Sequence, residues 1–276
     1  GASSVIEGDI SGSGGLRKTG VFDLTLLNTG SNTYTGATDI QGGLLRISGG
    51  GGSQVLGLGT VLVASGATLD LQNNAVVPND MVLSGGRVNS SLGIGDLTGN
   101  ILLASDSVFS SGSGGQALRI TGTGNLGGSA QAIIDAGDVR FEGSSNSHSG
   151  GTTVVGGASL TINDVGALGS GLLRLDNATL ITNFSDVIAN PVVVDSGGGT
   201  VLSLGSFYEF SGGISGAGSL YLFTRLASRW FRVPIAAPPA VVPTPPFWWP
   251  AACGRRYSRR CPRPPGPRAR SCDCPD

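Results

Sequence analysis

The segment Ser31–Ile47, SNTYTGATDIQGGLLRI, returns about 114 positions later as Ser145–Ile162, SNSHSGGTTVVGGASLTI. Ser31-Asn32 matches Ser145-Asn146, Tyr34 matches His148, Gly36 matches Gly150, and Gly42-Gly43 matches Gly156-Gly157. In both places a polar run closes at a glycine, a short alternating strand comes next, and a Gly-Gly turn leads into a second alternating strand. A repeat of this length made only of turns and strands points to a stacked architecture, in which each unit buries its apolar face against the next.

The rest of the chain up to about residue 222 behaves in the same way. Ile10–Leu16 (ISGSGGL) recurs as Ile120–Leu126 (ITGTGNL) and as Ile214–Leu220 (ISGAGSL), so a copy opens three times and is completed twice. Leu56–Val63 is echoed by Leu168–Leu175, Ala67–Leu69 by Ala178–Leu180, and Met81–Leu83 by Val192–Val194. The apolar runs are short, β-branched or leucine-rich, and broken by Gly, Asn, Asp or Ser, which is strand-and-turn chemistry. No helical stripe is present. With 48 glycines against 9 Phe and 4 Tyr, a sandwich would lack its usual aromatic anchors. Glycines at matched positions suit a coil that bends sharply while its backbone approaches the next rung. These features predict an all-β parallel β-helix, with inward Val, Ile and Leu stacking on their equivalents and outward Ser, Thr, Asn and Arg meeting water. At roughly 20 to 25 residues per coil, the first 222 residues make about ten coils and a rod of roughly 50 Å. Such a rod needs a cap at each end, and the sequence displays none.

Charge divides the chain in two. Residues 1–224 hold 7 basic and 16 acidic side chains, a net of −9, whereas residues 225–276 hold 10 and 2, a net of +8. Twelve of the 14 prolines and all the tryptophans and cysteines lie beyond residue 224. The expected division is a β-helical segment 1–222, with two full copies and the start of a third, and a Pro/Arg/Cys-rich disordered tail 223–276. Gly1–Ile10 lacks the basic start and apolar run of a signal peptide, so the chain reads as internal or processed. Val233–Cys253 is uncharged and apolar but contains seven prolines, which argues against a membrane helix.

ISGSGGLRKTG, LTLLNTGSNTYTGATDIQGGLLRI and VLGLGTVLVASGATLDL, within Ile10–Asn73, resemble the autotransporter-associated β-strand repeat of Gram-negative autotransporter passengers, adhesin-like proteins included. The second copy is looser: His148 replaces Tyr34, and Gly127-Gly128-Ser129 stands where the first copy has Arg17-Lys18-Thr19. The resemblance implies an extracellular right-handed β-helix, located at the cell surface, in the outer membrane or secreted. It also implies export through an outer-membrane β-barrel located C-terminally on the same polypeptide. Absence of cysteine from residues 1–252 fits passage through a narrow pore. The third copy loses the pattern after Leu222, and residues 223–276 contain none of the alternating ten-residue strands of a barrel. We read this tail as the product of a frame shift near Phe223. A genuine Pro/Arg-rich disordered segment is the alternative.

No catalytic, cofactor-binding or metal-binding residue is expected. Gly122–Gly127 satisfies G-x-G-x-x-G with Glu142 twenty residues on from Gly122, but no helix comes after it to receive a pyrophosphate, and the hexapeptide aligns with turns in the other copies. His148, the single histidine, occupies the position of Tyr34 and reads as a ladder or surface residue rather than a general base. Asp135, Asp138 and Glu142 around Arg140 form the nearest approach to a carboxylate cluster, the centre of a rival reading as a polysaccharide lyase or hydrolase on the same fold. Elsewhere Asp sits beside glycines or at strand ends, as Asp9, Asp80, Asp96 and Asp164 do, where turn capping explains it. Cys253, Cys261, Cys272 and Cys274 lack zinc-site spacing. The arginines between Arg255 and Arg270 would form a basic patch only if the tail is genuine, so no nucleic-acid partner is expected. Asn89, Asn177 and Asn183 match N-x-[ST], a pattern frequent by chance in so Ser/Thr-rich a chain. The expected role is that of a non-catalytic stalk or adhesin-type surface with an unidentified ligand, whose uncapped ends self-associate.

Overall fold

The structure is a computed structural model, and it describes residues 3–27, 31–49, 54–122, 126–205, 208–224 and 230–234. Among these the chain is a parallel β-solenoid with three long faces. Face A has eleven strands, from Ser4–Ile6 to Ile214–Gly216; face B has six, from Leu16–Lys18 to Leu126–Gly128; face C has nine, beginning at Val76–Val77. A two-stranded sheet pairs Asp186–Ile188 with Tyr208–Phe210. In the central coils the chain visits B, A and C in turn, while the earlier coils have no face C strand and the later ones no face B strand; each strand pairs with its equivalent one coil on. Eleven rungs at ~4.8 Å give face A a height of about 50 Å. The expected β-helix of about ten coils is the fold observed.

Registry explains the core. On face A, Leu24, Leu45, Leu69, Val88, Phe109, Ile134, Val154, Leu175 and Val194 lie in one inward column, each paired with the next. From Leu45 onward all of them are buried. On face C, Leu97, Ile120, Phe141 and Ile162 form the corresponding column. Phe109 and Phe141 meet edge to face at 6.2 Å inside the coil. Period-two alternation allows this, because a one-residue slip would turn an entire column outward.

The two sequence copies do not stack face on face. Strands Thr38–Ile40 and Gly43–Ser48 lie on faces B and A, whereas their sequence equivalents Thr152–Val155 and Ser159–Ile162 lie on faces A and C. Gly43–Ser48 is third on face A and Thr152–Val155 is eighth, five coils later; Ser159–Ile162 then falls on the next face. The repeat is therefore five coils and one face long, and each copy's distinctive corner is turned by one face.

One expectation is corrected at the C-terminal end. Strand Ser219–Thr224 pairs in parallel with Gly199–Ser203 on one side, and antiparallel with Trp230–Pro234 on the other. Face C thus ends in a returning strand that covers its edge, a cap built from residues that sequence reading assigned to the tail. Residues 235–276, with the four cysteines and the arginines from Arg255 onward, lie outside the described residues. No described helix is long and apolar enough to cross a membrane.

Candidate functional site

The most elaborate polar arrangement is the corner that the repeat encodes, and it occurs twice. In the first copy the Ile10 amide donates to Asn32 Oδ1 at 2.7 Å, and Asn32 Nδ2 donates to the Val55 carbonyl at 2.5 Å. In the second, the Leu126 amide donates to Asn146 Oδ1 at 3.0 Å and Asn146 Nδ2 donates to the Ala167 carbonyl at 2.7 Å. Each buried asparagine ties the coil before it to the coil after it, satisfying backbone groups that have no strand partner at a corner. Two residues on, Tyr34 Oη and Thr38 Oγ1 lie 2.5 Å apart, and His148 Nε2 and Thr152 Oγ1 lie 2.9 Å apart. The ring above each asparagine is thus locked by a threonine four residues ahead.

The next coil is shaped to cover these rings. Gly57 (φ +66°) passes so close to Tyr34 that a Cβ would lie 2.6 Å from the phenol ring, and Gly169 (φ +62°) passes His148 in the same way. Only glycine combines that backbone conformation with so close an approach. One coil further, Asn79 Nδ2 donates to the carbonyls of Gly57 and Gly59, and Asn190 Nδ2 to those of Gly169 and Gly171. Asparagine, ring, glycine and asparagine therefore run through three successive coils in both copies. The sequence revealed the matched residues but not this chain of contacts.

His148 is buried completely, so it is a ladder residue and not a surface one. Burial lowers its pKa to about 4, the nearby Leu126 carbonyl offsetting part of the effect. Phe141 packs edge-on at 6.4 Å. A neutral imidazole enclosed in this way has no access to a substrate. Burial likewise raises the Tyr34 phenol, against the opposing hydrogen bond to Thr38.

The carboxylates of the rival enzyme reading are divided between faces. Asp135 lies on face A and accepts two hydrogen bonds from Arg87, at 2.8 and 2.6 Å, across two rungs. That contact raises the Arg87 pKa, burial opposing it. Asp138 lies on face C, where Arg140 Nε donates to it at 2.8 Å, and Glu142 lies just past that strand. Among the described residues no group of three metal-ligating side chains occurs. The amide of Asn89 donates to Asp70 and that of Asn183 to Asn163. Residues 123–125 of the G-x-G-x-x-G segment lie outside the described residues, and Leu126–Gly128 forms a strand where a phosphate site would need a helix.

Outward polar residues form ladders that sequence reading missed. Asp70, almost wholly buried, accepts from Arg46 Nε at 3.1 Å, Asn89 Nδ2 at 2.8 Å, the Ser91 amide at 3.1 Å, Ser91 Oγ at 2.8 Å and Gln72 Nε2 at 3.3 Å. Arg119 pairs with Asp96 and Arg174 with Asp195, each one rung away. Their only sequence signal is opposite charge at one coil's separation.

The model of the passenger-associated-transport-repeat matches residues 16–47 and 134–162. The second match begins within strand Ala132–Ala136, past Gly127-Gly128-Ser129. The adhesin BmaC autotransporter of Brucella suis biovar 1 is 33% identical over 185 residues, covering 64% of this chain and 5% of that protein. The chain therefore spans a small fraction of the relative it matches. No solved structure gives a significant match. Two matches to the repeat, borne on a parallel β-solenoid, and 33% identity to a stretch of an adhesin autotransporter show that this chain resembles the repeat-bearing passengers of autotransporters.

Proposed function

We propose that the chain is a non-catalytic stalk and adhesive surface, displayed outside a Gram-negative cell and carried in its parent by a C-terminal outer-membrane β-barrel. The observation that carries this reading is where the repeat spends its distinctive residues. Asn32, Tyr34, Asn146 and His148 all point inward and hold coils together, which is the work of a scaffold. The adhesin named among its relatives supports the adhesive half. Self-association through the coil ends belongs to the same proposal: the face A edge at Ile214–Gly216 has no further partner strand among the described residues. We further propose that the reading frame shifts near Phe223; resequencing the codons for Gly218–Arg229 and finding that another frame restores repeats and barrel strands would establish it.

The test is attachment. Beads coated with the chain should adhere to host epithelial cells above albumin-coated controls, and the protein should leave acidic polysaccharides intact with or without Ca²⁺. Ca²⁺-dependent depolymerisation that disappears in Asp138→Ala would overturn the non-catalytic reading, and attachment no better than albumin would overturn the adhesive one.

A further inference from the structure

The corner between faces A and C carries a groove of about 370 Å³ near the C-terminal end of the solenoid. Its floor is nearly bare backbone at Gly157 and Gly198, its turn is made by Asn177, and its wall is a row of outward side chains on face C. Thr179, Thr200 and Tyr221 are consecutive in register along that row. Their strands are ~4.8 Å apart, so two hydroxyls and a phenol line up along the solenoid axis. Tyr221 is 41% exposed although it stands on a paired strand. Among the described residues the Thr179 and Thr200 hydroxyls make no side-chain hydrogen bond, in contrast to the paired ladder of face A. Among the described residues that line the groove, none is charged. Asp176, at its edge, is engaged with the Gly197 amide at 2.8 Å.

We propose that this groove binds a neutral, unbranched glycan chain. Hydroxyls that both donate and accept match a polyhydroxylated ligand. An exposed ring offers a flat apolar surface to the C–H face of a sugar, and the described lining residues offer no charged partner to an ionic ligand. A peptide added as a strand would need an open sheet edge; here the strands beneath the groove are paired on both sides. This inference rests on the adhesive reading above and gives that surface a site and a ligand class.

The experiment is calorimetric titration of the full chain with cellohexaose and with chitohexaose. At least one should bind, and Tyr221→Ala should weaken that binding about tenfold through loss of the ring contact. Thr200→Val, which keeps the shape and removes the hydroxyl, should weaken it about threefold. Thr200→Arg fills the groove from an outward position and should abolish binding, which keeps the test decisive if Tyr221→Ala fails to fold. Absence of binding to both oligosaccharides overturns the proposal, as does binding that persists in Thr200→Arg. Coated beads that attach to cells while neither oligosaccharide binds would sink the site and leave the adhesive reading standing. Oligosaccharide binding that is sensitive to the substitutions, with no bead attachment, would do the reverse.

Discussion

His148 Nε2 lies 2.9 Å from Thr152 Oγ1 inside the solenoid, where the first copy brings Tyr34 Oη to Thr38 Oγ1. The two contacts are equivalent in sequence and in geometry, yet only the histidine can take up a proton as the pH falls into the acid range.

Stability should therefore depend on pH through His148. The unfolded chain protonates this histidine near 6.5, the folded chain only at about 4. The folded-state pKa is the lower, so the stabilisation is fully present above pH 6.5 and is lost as pH falls to about 4. The gap is worth about 3 kcal/mol. Urea denaturation at pH 7.5, 6.0 and 4.5 should give a slope that His148→Tyr, which installs the first copy's residue, removes between 6.5 and 4.5. The same slope in both proteins would refute the assignment. A constant cost of fitting the larger ring does not affect this comparison.

Gly57→Ala should cost about 2–4 kcal/mol, combining a left-handed backbone with a collision against Tyr34. Gly66→Ala shares the positive φ (+75°) but meets nothing within 4 Å, and should cost only about 1 kcal/mol. Thermal denaturation of the pair separates the packing effect from the backbone effect. Equal losses would mean that the close approach to Tyr34 carries no energy.

Removing the Asp70 carboxylate should be expensive. Asp70→Ala leaves Arg46 and the Ser91 amide without their buried acceptor and should cost about 3–5 kcal/mol. Arg17→Ala breaks an ion pair whose arginine side chain is 72% exposed, and should cost less than about 1 kcal/mol. Chemical denaturation of both variants checks the ranking.

Truncation after Thr224 should promote self-association. It removes Trp230–Pro234 and bares the edge of Ser219–Thr224, a strand whose neighbours in the full chain cover both sides. Sedimentation velocity should show larger species for the truncated chain than for the full chain at equal concentration. Identical distributions would show that the returning strand is dispensable for edge protection.

Much of this protein is set by short-range sequence. Alternation of apolar and polar residues sets which side chains of a strand face inward, and matched Gly and Asn set where each coil turns, so strand chemistry, coil length and repeat are all readable without a structure. Tertiary structure decided three further things. It turned the second copy by one face, because the rotational phase of a repeat depends on the summed lengths of the intervening coils and each coil varies by a residue or more. It enclosed His148, which sequence left as ladder or surface, because Gly169 arrives one coil later to cover the ring. It joined Arg87 to Asp135, 48 residues away, and kept Asp135 and Asp138 on different faces. Such contacts run along the solenoid axis between stacked coils, and a linear sequence records the order of its coils but not their angular register.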